Sequence, residues 1–352
     1  MQQAVTAITV PTMRRWDAVL LASRLPGRPV RVQWTRKDEL TLEPLGSPMR
    51  IEIAAQLSGS RISAWRLSTR SGTHIQRPGW NGAVNLLAPA ALDDAFALCS
   101  DTDLPFHNGG SKNAVALYNF PQQVTYQFVP NLPFRLSALR SLGAFANVFA
   151  IESFMDELAE IADVDPVDFR LAHLPDERAR TVIRRVSELA NWPSPPESGF
   201  ARGLGFARFK NTGTYCAVVA LVAVEESVEL HKMWAAVDAG LVINPAGIVS
   251  QIEGGMVQAA SWTLKEEVPT DDARLTAESW KDYPILTSRR SQRSPLKSIS
   301  RPDCASTGVG EASLGPTAAA IANAVARALG IRVRDLPLTR DRLITAMMGA
   351  EA

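Results

Sequence analysis

One carboxylate in this sequence has the setting of a general base. Glu311 closes the run Thr307-Gly308-Val309-Gly310-Glu311, where two glycines let the backbone turn tightly and approach a ligand closely. The alanine-rich stretch that follows has no glycine or proline between Thr317 and Leu329 and predicts a strong helix. Pro316 suits its first turn, and Gly330 is placed to cap its C-terminus. Glu311 is therefore held just ahead of a helix N-terminus, whose partial positive charge favours the ionised form. Taken alone, such a turn is more often only a turn. Metal chemistry through side chains is disfavoured. Cys99, Cys216 and Cys304 are far apart without a C-x-x-C pair, and the four histidines lack metal spacing.

The elements that must position this carboxylate are partly legible. Asp17–Leu25 reads as a helix, Arg28–Trp34 as an alternating strand, and Ile51–Leu67 as a hairpin turning at Ser58–Ser60. Residues 77–113 read as a long surface loop, and Gln123–Phe128 as a strand. Asn147 is a candidate helix cap, with Ile151, Phe154, Met155, Leu158 and Ile161 on one face and Glu152 and Asp156 off it. Asp165-Pro166 and Asp176 start two further helices. Pro193–Gly199 is the clearest linker, giving a first domain over 1–192 and a second over 200–352. Beyond it come strands Cys216–Val224 and Val228–Val237. A helix starting at Asn244-Pro245 then carries Gln251 and the pair Gly254-Gly255. Mid-helix glycines cost stability, and usually mark close packing or a ligand's approach. Gln251 alone reads as a polar residue capping a neighbouring turn, and Asp238 as structural.

The 352 residues suffice for two cores, and 46% hydrophobic content is ordinary for a globular protein. A net charge of +1 gives no reason to propose nucleic acid or an anionic membrane as partner. No apolar run is long enough for a transmembrane segment, and the N-terminus lacks a signal-peptide layout. The default compartment is cytoplasmic, or periplasmic if a signal lies further upstream.

Three blocks resemble, in order, the molybdenum hydroxylases, the family of xanthine dehydrogenases, aldehyde oxidases and isoquinoline or nicotinate oxidoreductases. They are L-R-S-L-G-A-F-A-N at Leu139–Asn147, the Gln251 block Q-I-E-G-G, and G-V-G-E-A-S-L-G-P-T-A-A-A-I-A-N with Leu336–Leu338. The resemblance implies an α+β fold of molybdopterin-binding domains with mixed sheets and packed helices. It implies hydroxylation of an N-heteroaromatic compound or an aldehyde, a small-molecule substrate, with oxygen from water. Glu311 is then the catalytic base, Arg140 lies beside the molybdenum centre, and Gln251 hydrogen-bonds the pterin. Gly143, Gly254, Gly255, Gly308 and Gly310 complete the cofactor-binding set. Leu142 stands where the family often has an aromatic against the substrate. The implied cofactor is molybdenum–molybdopterin, with the cytosine dinucleotide form open, and electrons leave through iron–sulfur clusters on a partner subunit. The alternative is a non-catalytic scaffolding subunit or inactive remnant.

Family text is missing in two places, 1–16 and 287–300. Read one base early with permissible codons, the first restores a glycine loop and the second an alternating strand. Both segments are therefore expected to be out of frame. The chain is expected to be the C-terminal portion of a longer subunit, whose missing N-terminal half is a further partner, and its basic run should be unable to pair in a sheet.

Overall fold

The computed structural model describes residues 9–75, 86–88, 103–271, 274–287 and 295–350. In chain order these begin with α1 (Thr9–Ser23), α2 (Arg36–Leu42), β1 (Leu45–Gly46), β2 (Met49–Ser58) and β3 (Arg61–Ser71). Then come β4 (Gln122–Phe128), β5 (Leu136–Ser137), α3 (Ala144–Ile161), α4 (Pro166–His173) and α5 (Glu177–Leu189). The larger sheet and its first covering helix follow as β6 (Phe200–Arg208), β7 (Tyr215–Val224), β8 (Val228–Asp238) and α6 (Pro245–Leu264). Two short strands, β9 (Thr270–Asp271) and β10 (Arg274–Leu275), precede β11 (Leu296–Ile299), α7 (Leu314–Leu329) and α8 (Arg340–Ala350).

Both larger sheets are mixed, as expected. In one, β2 and β3 pair antiparallel and β4 lies parallel to β3. The other runs β11-β8-β7-β6, antiparallel except for β11 beside β8. Strand β7 is apolar at nearly every position, which is the text of a strand covered on both faces. Cys216, Val218 and Ala220 meet α6 and α7 through Ile252, Met256 and Ile321. Ala217 and Val219 point the other way, toward α3–α5 through Met155, Phe169, Val182 and Ile183. Pro193–Gly199, the expected division, connects α5 to β6. Side chains from both sides of it share this second cluster, so packing does not part there.

Several expectations are corrected. Arg28–Trp34 forms no strand. It pairs with no strand among the described residues, and it leads instead into the Thr35–Asp38 capping box of α2. Gly109–Lys112, at the end of the expected surface loop, is buried; most of residues 77–102 lie outside the described residues. Asn147 is not a cap, because α3 begins at Ala144. Its amide is buried inside that helix and donates to Gly110 O and Lys112 O at 2.8 and 2.9 Å. Glu152 and Asp156 are buried against Arg170, whereas Ile161 is 72% exposed on the helix's last turn.

The basic run is corrected in part. Leu296–Ile299 does pair, in register from Leu296↔Ala235 to Ile299↔Asp238, because Leu296 and Ile299 each find an apolar cluster while Lys297 faces out. Residues 288–294 and 1–8 lie outside the described residues, and 9–16 belong to α1.

Candidate functional site

Two segments remote in sequence converge on Arg140. Its Nε donates to Gly310 O, Nη1 to Gln258 Oε1 at 3.0 Å, and Nη2 to Gln251 O and Oε1 at 3.0 and 3.3 Å. Burial lowers the Arg140 pKa, and the nearby Glu311 carboxylate opposes that shift. Glu311 in turn accepts the backbone N–H of Ser141 at 2.6 Å. The Glu311 carboxylate and the Arg140 cation thus meet at consecutive residues of one turn.

That turn is conformationally unusual. Ser141 and Leu142 have φ of 80° and 53°, the left-handed region that side chains with a Cβ rarely adopt. Each such residue costs of order 1–3 kcal/mol and persists only where its surroundings impose it. Here β5 enters on one side and α3 leaves on the other. Gly143, at the junction, packs so closely that a Cβ would lie 2.3 Å from Gly110 O. The opposite side of the site is fixed by the end of β8. Thr307 N–H donates to Ala239 O at 2.9 Å, Leu241 N–H to Cys304 O at 3.0 Å, and Thr214 Oγ1 to Gly308 O at 3.0 Å. Asp238 anchors this loop through Arg178 and Arg301, as a structural residue should.

Helix α6 begins where Asn244 Oδ1 accepts the Gly247 N–H at 2.9 Å, and it presents Gln251 exposed beside the Gly308–Glu311 turn. The glycines divide into two kinds. A Cβ on Gly255 would fall 2.3 Å from Ser313 Oγ, so Gly255, like Gly143, is a packing glycine. A Cβ on Gly254 or Gly308 would meet nothing within 4 Å, and on Gly310 it would meet Gln251 Oε1 at 3.5 Å. Gly254 and Gly308 therefore border open space that protein packing does not require. This is a surface onto which a planar heterocycle could settle, with the Gln251 amide offering a donor and an acceptor.

Arg140 and Leu142 also line a cavity of about 1270 Å³ that includes Phe145, Phe149 and Trp262. Of the residues expected from the sequence, the structure brings Arg140, Gln251, Gly255, Gly310 and Glu311 into contact range of one another through the Arg140–Ser141 turn, and it adds two groups. Gln258 lies two helical turns from Gln251 on the same face, a spacing that could have found it. The Ser141 N–H could not be found, since a backbone donor leaves no trace in residue type. Among the described residues, no group of three or more His, Cys, Asp or Glu is placed to hold a metal ion.

Residues 147–291 match the family model of the molybdopterin cofactor-binding domain. One nicotinate dehydrogenase subunit, from Pseudomonas putida, is 35% identical over 355 aligned positions, covering 95% of this chain and 28% of that protein. The beta subunit of isoquinoline 1-oxidoreductase from Brevundimonas diminuta is 31% identical, over 90% of this chain and 39% of that one. The chain thus spans well under half the length of these relatives. Quinoline 2-oxidoreductase from Pseudomonas putida 86 superposes with a TM-score of 0.75 at 15% identity, covering 93% of this chain and 65% of that one. Aldehyde oxidoreductase from Desulfovibrio gigas gives 0.72 at 14% identity, over 94% and 52%. These two likenesses establish the fold.

Proposed function

The chain belongs to the molybdenum hydroxylase family, within its molybdopterin-binding subunit, and from that premise we propose that it serves the hydroxylation by water of an N-heteroaromatic compound or an aldehyde. The observation that carries this reading is the junction of Glu311, Arg140 and Gln251 beside two glycines that border open space. Gln251, Gly254, Gly308 and Gly310 would hold the molybdenum–molybdopterin group, in its plain or cytosine dinucleotide form. Arg140 would stand beside it. When bound, that group supplies the two-electron oxidation of the substrate carbon.

The chain's own residues handle position and protons. Glu311 takes a proton at the oxygen that Ser141 does not occupy, while the Ser141 N–H fixes the carboxylate's direction. Arg140 holds the Gly310 carbonyl and both glutamines, so the base and the Gln251 amide keep one spacing. Electrons would pass to iron–sulfur clusters on a partner subunit, for which the three scattered cysteines of this chain offer no four-thiolate site. The names of the two curated relatives, on nicotinate and isoquinoline, favour the N-heteroaromatic class. Among the described residues no helix is long and apolar enough to cross a membrane.

Glu311→Gln in the assembled enzyme tests the reading. Turnover should fall by roughly 10²–10⁴-fold, the contribution of a positioned base, with molybdenum content unchanged. Turnover within a few-fold of the parent would remove Glu311 from the mechanism. An assembled protein with neither molybdenum nor turnover would favour a scaffolding role.

A further inference from the structure

We infer that the outer face of α1, with the chain segment that folds back along it, docks peripherally on an anionic lipid surface, independently of the catalysis proposed above.

A net charge of +1 averages over the whole chain and hides a local imbalance. Residues 14–37 carry six arginines and one lysine against a single carboxylate, Asp17. Asp17 is buried and accepts the Ala88 N–H at 2.8 Å, so it is turned away from the surface. Arg14, Arg36 and Lys37 are paired with Glu39, Glu43 or Glu278, and Arg24 has a partner as well. Arg15, Arg28 and Arg31 are exposed, and none of them forms an ion pair among the described residues.

The fold gathers these three charges around an apolar patch. On α1 the exposed positions Arg15, Trp16, Val19 and Ser23 fall within an arc of about 100°, at 3.6 residues per turn. Trp16 and Val19 are 49% and 58% exposed, and Leu25, just past the helix, is 47% exposed. The chain then reverses. Leu25 N–H donates to Ala22 O at 3.0 Å, Arg28 N–H donates to Leu25 O at 3.2 Å, and Gly27 takes a φ of 77°. Residues 28–34 run back until the Trp34 ring lies 4.7 Å from the Arg14 guanidinium. Arg28 and Arg31 therefore lie along the same ~15 Å of α1 that carries Trp16 and Val19.

The chemistry of the face selects the partner. Exposed apolar groups ringed by cations, with no carboxylate among them, repel no phosphate. They also place an indole where it prefers to sit, at headgroup depth. A lipid phosphate layer needs charge and no matching shape. A protein partner would need its own carboxylates placed to meet three arginines on two chain segments. Each arginine held near an anionic surface contributes about fivefold in affinity.

The test is flotation of the 352-residue chain with vesicles of phosphatidylcholine alone, or of phosphatidylcholine with about one-third phosphatidylglycerol. Binding should appear only with the anionic vesicles, and should fall at least tenfold between about 0.05 and 0.5 M salt. Arg15→Gln, Arg28→Gln and Arg31→Gln combined should weaken it roughly a hundredfold, with thermal unfolding unchanged because all three positions are exposed. Arg28→Gln with Arg31→Gln leaves α1 untouched and should lose roughly twentyfold alone. Trp16→Ala should weaken binding several-fold while the salt dependence persists. Arg66→Gln with Arg70→Gln, at exposed positions of β3, should leave binding in place. Equal binding to neutral vesicles would overturn the inference. So would normal binding by the folded arginine variants, or an equal loss from the β3 pair. Capture of the parent chain by heparin but not by anionic vesicles would assign the face to another polyanion and overturn it too.

Discussion

Arg140 needs its planar fork. Nε engages the Gly310 turn while Nη1 and Nη2 engage two glutamines of α6, and a lysine at this position has one nitrogen to offer. Arg140→Lys should loosen the Gly310–Glu311 turn and lower turnover at least tenfold in the assembled enzyme, measured per bound molybdenum. Gln251 has the opposite profile. It is exposed, and on the proposed role its amide would meet the pterin, so Gln251→Ala should lower molybdenum retained after gel filtration while turnover per bound molybdenum persists. His74 adds a pH dependence to stability. Buried, with Nε2 2.8 Å from Ser71 Oγ and near Lys112, it has a pKa lowered to about 4 by burial, from an ordinary 6.5. Between those values the unfolded chain binds the proton that the folded chain refuses. The stability is therefore intact above pH 6.5 and lost as pH falls toward 4, a total of about 3 kcal/mol. Urea unfolding across that range should show the slope in the parent and a flatter one in His74→Gln.

At the scale of elements, buried charge ties α3, α4 and β6 together. Arg170, fully buried, donates to Glu152 at 2.8 Å and Asp156 at 3.0 Å, and Glu152 also accepts from Tyr118 OH and the Phe206 N–H. Burial pushes the Glu152 pKa up, and Arg170 pulls against it. Asp156 keeps a second cation in Arg327 at 2.8 Å, so Glu152 is the group that Arg170→Met would strand. That substitution should cost about 3–5 kcal/mol, read from the urea midpoint, because one partner of a buried pair is left uncompensated. The same elements show what a sequence discloses. Asp165, Asp176 and Asn244 cap their own helices within three residues, so those starts were legible. Glu152 and Asn147 take their main partners from other elements, and as polar residues on a helix they were misread as a surface face and a cap. The site's side chains were legible only through a family resemblance. Glu311 alone had a local reason, and Arg140 and Gln251 acquire theirs when the three segments meet.

At the scale of the molecule, the two sheets differ in how fully they are covered. The larger is packed on both faces, and β11 occupies the side of β8 where an open edge was expected. The smaller has one face alternating outward, a β2 edge with no partner strand among the described residues, and a cavity beside it. Ile161, Ile243 and Met348 are 72%, 73% and 68% exposed elsewhere on the surface. Scattered apolar residues are tolerated, whereas an unpaired strand edge recruits other chains. Association of the isolated chain should therefore begin at β2, not at the basic run. Sedimentation of the 352-residue chain alone should show concentration-dependent self-association and no bound molybdenum. Completing the subunit should give a monodisperse, molybdenum-loaded protein. Arg50→Pro or Ile51→Pro, whichever preserves folding, should reduce self-association of the isolated chain, because it removes an outward donor from the edge. A monodisperse isolated chain with full molybdenum content would mean that this edge needs no second polypeptide, and that the cofactor surface of Gly254, Gly308 and Gln251 is complete without one.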